Sequence, residues 1–136
     1  MFTIRLGSFS KQLKEAGGIP PSFIHTDILD ENIPLEGVFD LVLCNPPYIK
    51  EEEKALMRKN VLDYEPVLAL FVPDEEPLLF YRALIAWSDK LLSQEGTGIA
   101  EINENLGEET RTLFKNAGYS YVELIKDLYD KNRFII

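Results

Sequence analysis

Apolar positions recur along this chain with two periods, and the switches between them mark its elements. Residues 39–44, Phe-Asp-Leu-Val-Leu-Cys, are an apolar run of strand character. Phe80, Leu84, Trp87 and Leu91 fall on one stripe at helical spacing. The chain is therefore expected to be helical from Asp74-Glu75-Glu76-Pro77 to about Leu92, with Trp87 a core residue. Acidic side chains complement the exposed N–H groups of a first turn, and proline lacks the donor that would go unpaired there. Gln94-Glu95-Gly96 is expected to turn the chain into a strand over 97–102. A second helix is predicted over 107–117, with Thr110, Leu113, Phe114 and Ala117 inward and Gly118 as its stop. Strands over 119–126 and 132–136, joined by a polar turn, read as an antiparallel hairpin. Upstream, a short helix over 8–16 ends at Gly17-Gly18, Pro20-Pro21 leads rigidly into a strand over 23–26, and a polar connection covers 28–38. Helices alternating with strands give an α/β class.

Composition narrows the setting. The 136 residues suffice for one domain with a modest core, and 46% hydrophobic content excludes a wholly disordered chain. No apolar run approaches membrane-spanning length, and the first residues carry no signal-peptide pattern. The single cysteine, Cys44, has no partner for an internal disulfide. These features favour a cytoplasmic protein without a membrane partner. The net charge of −9 argues against direct nucleic-acid binding, because backbone contacts need a Lys/Arg surface to displace counterions. The same acidity also serves solubility. His25, the sole histidine, reads as a packed or edge residue, and the sequence holds no metal-ligand cluster.

The strongest candidate chemistry follows the strand over 39–44: Asn45-Pro46-Pro47-Tyr48. The prolines lack backbone donors, so the sheet ladder must stop there, and the residue before a proline is pushed out of the helical region. Asn45 is thus held extended off the strand end. A planar –NH2 group has a delocalised lone pair and is a poor nucleophile. The Asn45 side-chain oxygen and the Pro46 carbonyl are each suited to accept one of its hydrogens, which fixes the nitrogen and turns its lone pair toward an electrophile. Tyr48 supplies a flat face for stacking. An ordinary Pro-rich turn is the plainer alternative.

Asn-Pro-Pro-Tyr after an apolar strand resembles the catalytic motif of class I S-adenosylmethionine-dependent methyltransferases that act on planar nitrogens, among them adenine-amino methyltransferases and the release-factor glutamine methyltransferases of the HemK family. Tyr64-Glu65-Pro66, continuing to Ala69-Leu70, resembles the stretch that follows this loop in the release-factor enzymes. Glu101-Ile102 at a strand end resembles them again, although that family continues with Gly where this chain has Asn103. Asp127 and Arg133 resemble its Asp…Arg pairing, for which a hairpin salt bridge is the simpler role. The resemblance implies catalysis by Asn45, Pro46 and Tyr48, substrate contact by Asn45, Pro46, Pro47 and Tyr48, and S-adenosyl-L-methionine contact by Asp27 and Asn45. It implies a peptide-chain release factor as protein substrate. Asp27 also suits an ordinary turn or helix cap.

The resemblance covers nearly the whole chain and places it in the carboxyl-terminal portion of the catalytic domain. Under it, the chain is a partial Rossmann-like sheet without its first two strands and Gly-rich loop, ending in an antiparallel hairpin. Residues 1–22 are then expected to be rearranged or poorly ordered, and strand 39–44 to expose an apolar edge through which the chain self-associates. Alone, it is expected to bind the cofactor weakly and to be inactive. Rival readings are methylation of adenine or of a ribosomal-protein glutamine, and a non-catalytic remnant that pairs with a partner.

Overall fold

The apolar run Phe39–Cys44 forms strand β1, which pairs in parallel with β4, Leu92–Glu101. This pairing belongs to a computed structural model that describes Gly17 and residues 24–30, 37–57 and 66–136. The helix expected over 8–16, together with Pro20, Pro21, Phe23, Tyr64 and Glu65, lies outside the described residues. Strands β5 (Leu124–Lys126) and β6 (Asn132–Ile135) form the expected antiparallel hairpin, and β6 pairs antiparallel with β4. The sheet order is therefore β1-β4-β6-β5. Two short strands, β2 (Ile49–Lys50) and β3 (Phe71–Val72), pair separately in parallel.

Helix α1, Leu79–Leu91, connects β1's half of the chain to β4, and α2, Gly107–Asn116, connects β4 to the hairpin. The first begins slightly later than its acidic start suggests, because Asp74–Leu78 is taken up by turns closed by Glu76 N–H on the Pro73 carbonyl and Leu79 N–H on that of Glu76. Tyr81, Leu84, Trp87 and Leu91 are buried along its inner stripe. Trp87 is a core residue as expected, and its indole N–H donates to the Ile28 carbonyl at 2.8 Å. Tyr81 and Leu84 meet Ala100, Ile102, Phe114 and Ile135 in the main core. Burying a Leu, Ile or Phe side chain of this kind contributes roughly 1.5–3 kcal/mol.

Among the described residues the core lies on one face of the sheet. Val42 and Cys44 of β1 pack against it, whereas Phe39, Leu41 and Leu43 alternate onto the opposite face and are exposed, Leu43 by 69%. Phe134, on the residue paired with Glu101, is exposed too. Among the described residues β1 has β4 as its sole neighbour. The open apolar edge expected from the sequence is therefore accompanied by an open apolar face.

Four expectations are corrected. Residues 24–26 are not a strand: Ile24 and His25 are exposed, and the following residues fold into a turn in which Asp30 N–H bonds the Asp27 carbonyl at 3.0 Å. A strand there has no described neighbour to complete its ladder. Gln94-Glu95-Gly96 does not separate helix from strand; β4 starts at Leu92, paired with Phe39, and the residues before Thr97 form a bulge within it. The strand over 119–126 shrinks to Leu124–Lys126, because Tyr119 is drawn against Phe114 edge to face, with ring centroids 5.6 Å apart. Ala117, at the helix end, is exposed rather than inward, while Gly118 takes the left-handed φ of 98° expected of a stop.

Candidate functional site

At the end of β1 the ladder stops where the prolines require it. Asn45 is exposed, Pro46 and Pro47 are buried, and Tyr48 is half-buried before β2 begins. The Asn45 side chain makes no hydrogen bond among the described residues. It borders a groove of about 320 Å³ on the open side of the sheet, lined also by Leu43, Cys44, Ile99, Glu101 and Phe134. Burial pushes the Cys44 thiol up to about 11, so it stays a protonated packing residue.

Tyr48 is held at both ends. Its hydroxyl donates to Glu101 Oε1 at 2.6 Å. Its carbonyl accepts from Asn103 Nδ2 at 3.1 Å. Burial, then the hydrogen bond to the Glu101 carboxylate, push the Tyr48 phenol well above its ordinary range, so it is a donor at neutral pH. Glu101 sits at the end of β4, and its carbonyl accepts from the buried Tyr81 hydroxyl at 3.1 Å.

Behind Glu101 stands an ion-pair chain. Arg133 Nη1 lies 3.5 Å from Glu101 Oε1, and Nη2 bonds Asp127 Oδ2 at 3.1 Å. For Asp127, partial burial raises its pKa, but hydrogen bonds from the N–H groups of Tyr129 and Lys131 and from Arg133 outweigh it, leaving a net lowering. The hairpin salt bridge expected for this pair is thus present, and its arginine also faces the site.

A second cluster braces the loop after Tyr48. Glu53 Oε2 accepts from Lys50 N–H and from Asn103 Nδ2, both at 2.9 Å. Asn103 is 5% exposed, and its Oδ1 accepts from Asn105 N–H at 2.9 Å. Glu51 and Glu52 are exposed, but Glu53 turns inward. The one available sequence signal is its position three residues after Lys50, at the opening of the 3-10 turn Glu51–Leu56, where a carboxylate reaches back to the preceding N–H. Asn103 stands out in the sequence only as a departure from Gly.

Of the residues singled out from the sequence, Asn45, Pro46, Pro47 and Tyr48 form one cluster. Asp27 lies apart, on the turn fastened to α1 through Ile28 and Trp87. Its Oδ1 caps Leu29 N–H at 3.0 Å, the ordinary turn role. A larger cavity, about 470 Å³, opens toward the start of β4 between Ser88, Asp89, Thr97, Tyr119 and Tyr121, away from all five residues. Among the described residues no group of side chains could hold a metal ion, and no helix is long and apolar enough to cross a membrane.

No protein-family model matches the chain. Individual proteins do. It is 42% identical over 114 residues to a release factor glutamine methyltransferase of Flavobacterium psychrophilum, covering 84% of this chain and 40% of the relative. It is 43% identical over 97 residues to a protein of the same name from Bacteroides thetaiotaomicron, covering 71% and 35%. A third, from Leptospira interrogans, is 40% identical over 114 residues, covering 84% and 39%. The chain spans about two fifths of the length of the relatives it matches.

Proposed function

We propose that this chain, similar over about two fifths of their length to release factor glutamine methyltransferases, is a part of such an enzyme and forms the acceptor half of an active site. That site would move a methyl group from S-adenosylmethionine to the side-chain amide nitrogen of a release-factor glutamine. The supporting observation is the exposed Asn45 at the end of β1, followed by two buried prolines and a tyrosine clamped at both ends. Buried prolines and a clamped ring give the loop the rigidity that positioning catalysis needs.

In this mechanism the Asn45 side-chain oxygen and the Pro46 carbonyl accept the two hydrogens of the glutamine amide. The Tyr48 ring stacks on its plane, and Pro47 lies next to it in the same loop. So held, the amide nitrogen would present its lone pair to an electrophilic methyl group and give up a proton once that group is transferred. That nitrogen becomes acidic only as its fourth bond forms, so the loop needs no strong base. When bound, S-adenosylmethionine supplies the electrophilic methyl group. Asp27 and Asn45 fit contact with it: both are exposed, and the Asp27 turn uses Oδ1 while leaving Oδ2 to accept a further hydrogen bond.

The sheet order and its parallel β1–β4 pair are compatible with the carboxyl-terminal part of a class I, Rossmann-like methyltransferase sheet. On this proposal residues 1–136 are part of one catalytic domain, act in the cytoplasm, and are inactive alone. The edge of β1 that no described strand pairs then mediates self-association of the isolated chain.

The test is a chimaera in which this chain replaces the matching 114-residue stretch of the Flavobacterium psychrophilum relative. Methyl transfer from labelled S-adenosylmethionine is followed to a release factor, to that factor with its acceptor glutamine replaced, and to DNA. Label on the unaltered factor alone supports the proposal; label on DNA, or on the altered factor equally, contradicts it.

A further inference from the structure

We propose that Glu101 is a positioning residue of this site: braced by Arg133, its carboxylate sets the plane of the Tyr48 ring against the acceptor amide. This rests on the proposed stacking role of Tyr48.

The geometry is that of an aimed acceptor. The 2.6 Å contact between the Tyr48 hydroxyl and Glu101 Oε1 has the length of a charge-assisted O–H···O bond. With the Tyr48 carbonyl held by Asn103, the residue is anchored at both ends of its length. A ring so anchored gives up its rotation before the substrate arrives, which lowers the ordering cost of a stacked complex.

Glu101 is itself immobilised. Its neighbours Ala100 and Ile102 are fully buried in the core, and its carbonyl takes the Tyr81 hydroxyl. The Ile102 N–H bonds the Arg133 carbonyl at 2.9 Å, so the strand ends carrying Glu101 and Arg133 are locked together. Arg133 is in turn fixed by Asp127. The groups bearing on the Tyr48 hydroxyl are thus Glu101 from β4, Arg133 from β6 and Tyr81 from α1. The raised phenol range of Tyr48 agrees with a hydroxyl committed to a carboxylate.

Two arms test this. In the chimaera, Glu101→Gln should lower kcat/KM for the release factor about tenfold, the scale of one charge-assisted hydrogen bond, while KM for S-adenosylmethionine stays unchanged. In a Tyr48→Phe background the same substitution should change kcat/KM less than about twofold, because the hydroxyl it acts through is gone. An equal loss in both backgrounds, or no loss in the first, overturns the proposal. The second arm needs no activity. With ring-labelled tyrosine in the full chain, and the Tyr48 signals identified by Tyr48→Phe, Glu101→Gln should shift and average those signals and leave the other tyrosines in place. Unmoved Tyr48 signals overturn the proposal. A chimaera that methylates nothing contradicts the functional reading, and the ring signals still decide whether Glu101 sets Tyr48.

Discussion

Asn103 places its side-chain nitrogen 2.9 Å from Glu53 Oε2 and 3.1 Å from the Tyr48 carbonyl oxygen, so one buried amide joins the end of β4 to both sides of β2. Asn103→Ala removes the donor for the Tyr48 carbonyl. It should destabilise the chain by about 1–3 kcal/mol, the cost of leaving buried polar groups unpaired. Glu53→Ala should cost less, because the partly exposed Lys50 N–H can turn to water. Chemical denaturation of both variants checks the order.

Tyr81 is fully buried, and its hydroxyl bonds the Glu101 carbonyl at 3.1 Å. Tyr81→Phe keeps the ring and loses the donor, and should cost about 1 kcal/mol. Leu84→Ala, in the same core, should cost about 2–5 kcal/mol by leaving a cavity. Thermal or urea unfolding that ranks them the other way would contradict this description of the core.

Asp127 has a folded pKa below its unfolded one. The folded state therefore binds protons less readily, and the stabilisation is fully present above the unfolded carboxylate range. It is lost as pH falls through the lower folded value. Asp127→Asn should flatten the acid limb of the stability–pH curve and leave its slope at neutral pH unchanged. An unaltered acid limb would contradict the assignment.

Self-association should run through β1. Leu41 and Leu43 are exposed, beside the edge of β1 that no described strand pairs. The isolated chain should show concentration-dependent mass by light scattering, and Leu43→Lys should reduce it by placing a charge where a second chain would pack. A monomer at all concentrations would contradict this surface's role.

The parts of the fold legible in the sequence are those with local signals. Strand β1, the stop at Pro46-Pro47, the stripe through Leu84, Trp87 and Leu91, and the Gly118 exit each depend on neighbouring residues alone. What is not legible depends on tertiary partners. The stretch from Thr26 has strand-like residues on its amino side but folds into a turn, held through Ile28 by Trp87. The bulge before Thr97 exists because β4 must meet Phe39 as well as Leu41. Within the site, Asn45 and Tyr48 are recognisable by their chemistry. The clamps on Tyr48 are not, because Glu101 and Asn103 lie more than fifty residues away, and the resemblance carried by Glu101-Ile102 does not say which side chain that carboxylate holds.

The central claim is that Asn45 orients a glutamine amide for methyl transfer, and the most direct measurement is the effect of Asn45→Ala on turnover in the chimaera. The account predicts that kcat for release-factor methylation falls by about 10²-fold or more, the scale of lost near-attack positioning. KM for S-adenosylmethionine should change little, and the variant should unfold at the same denaturant midpoint because Asn45 is exposed. Unchanged turnover in a folded variant would contradict it.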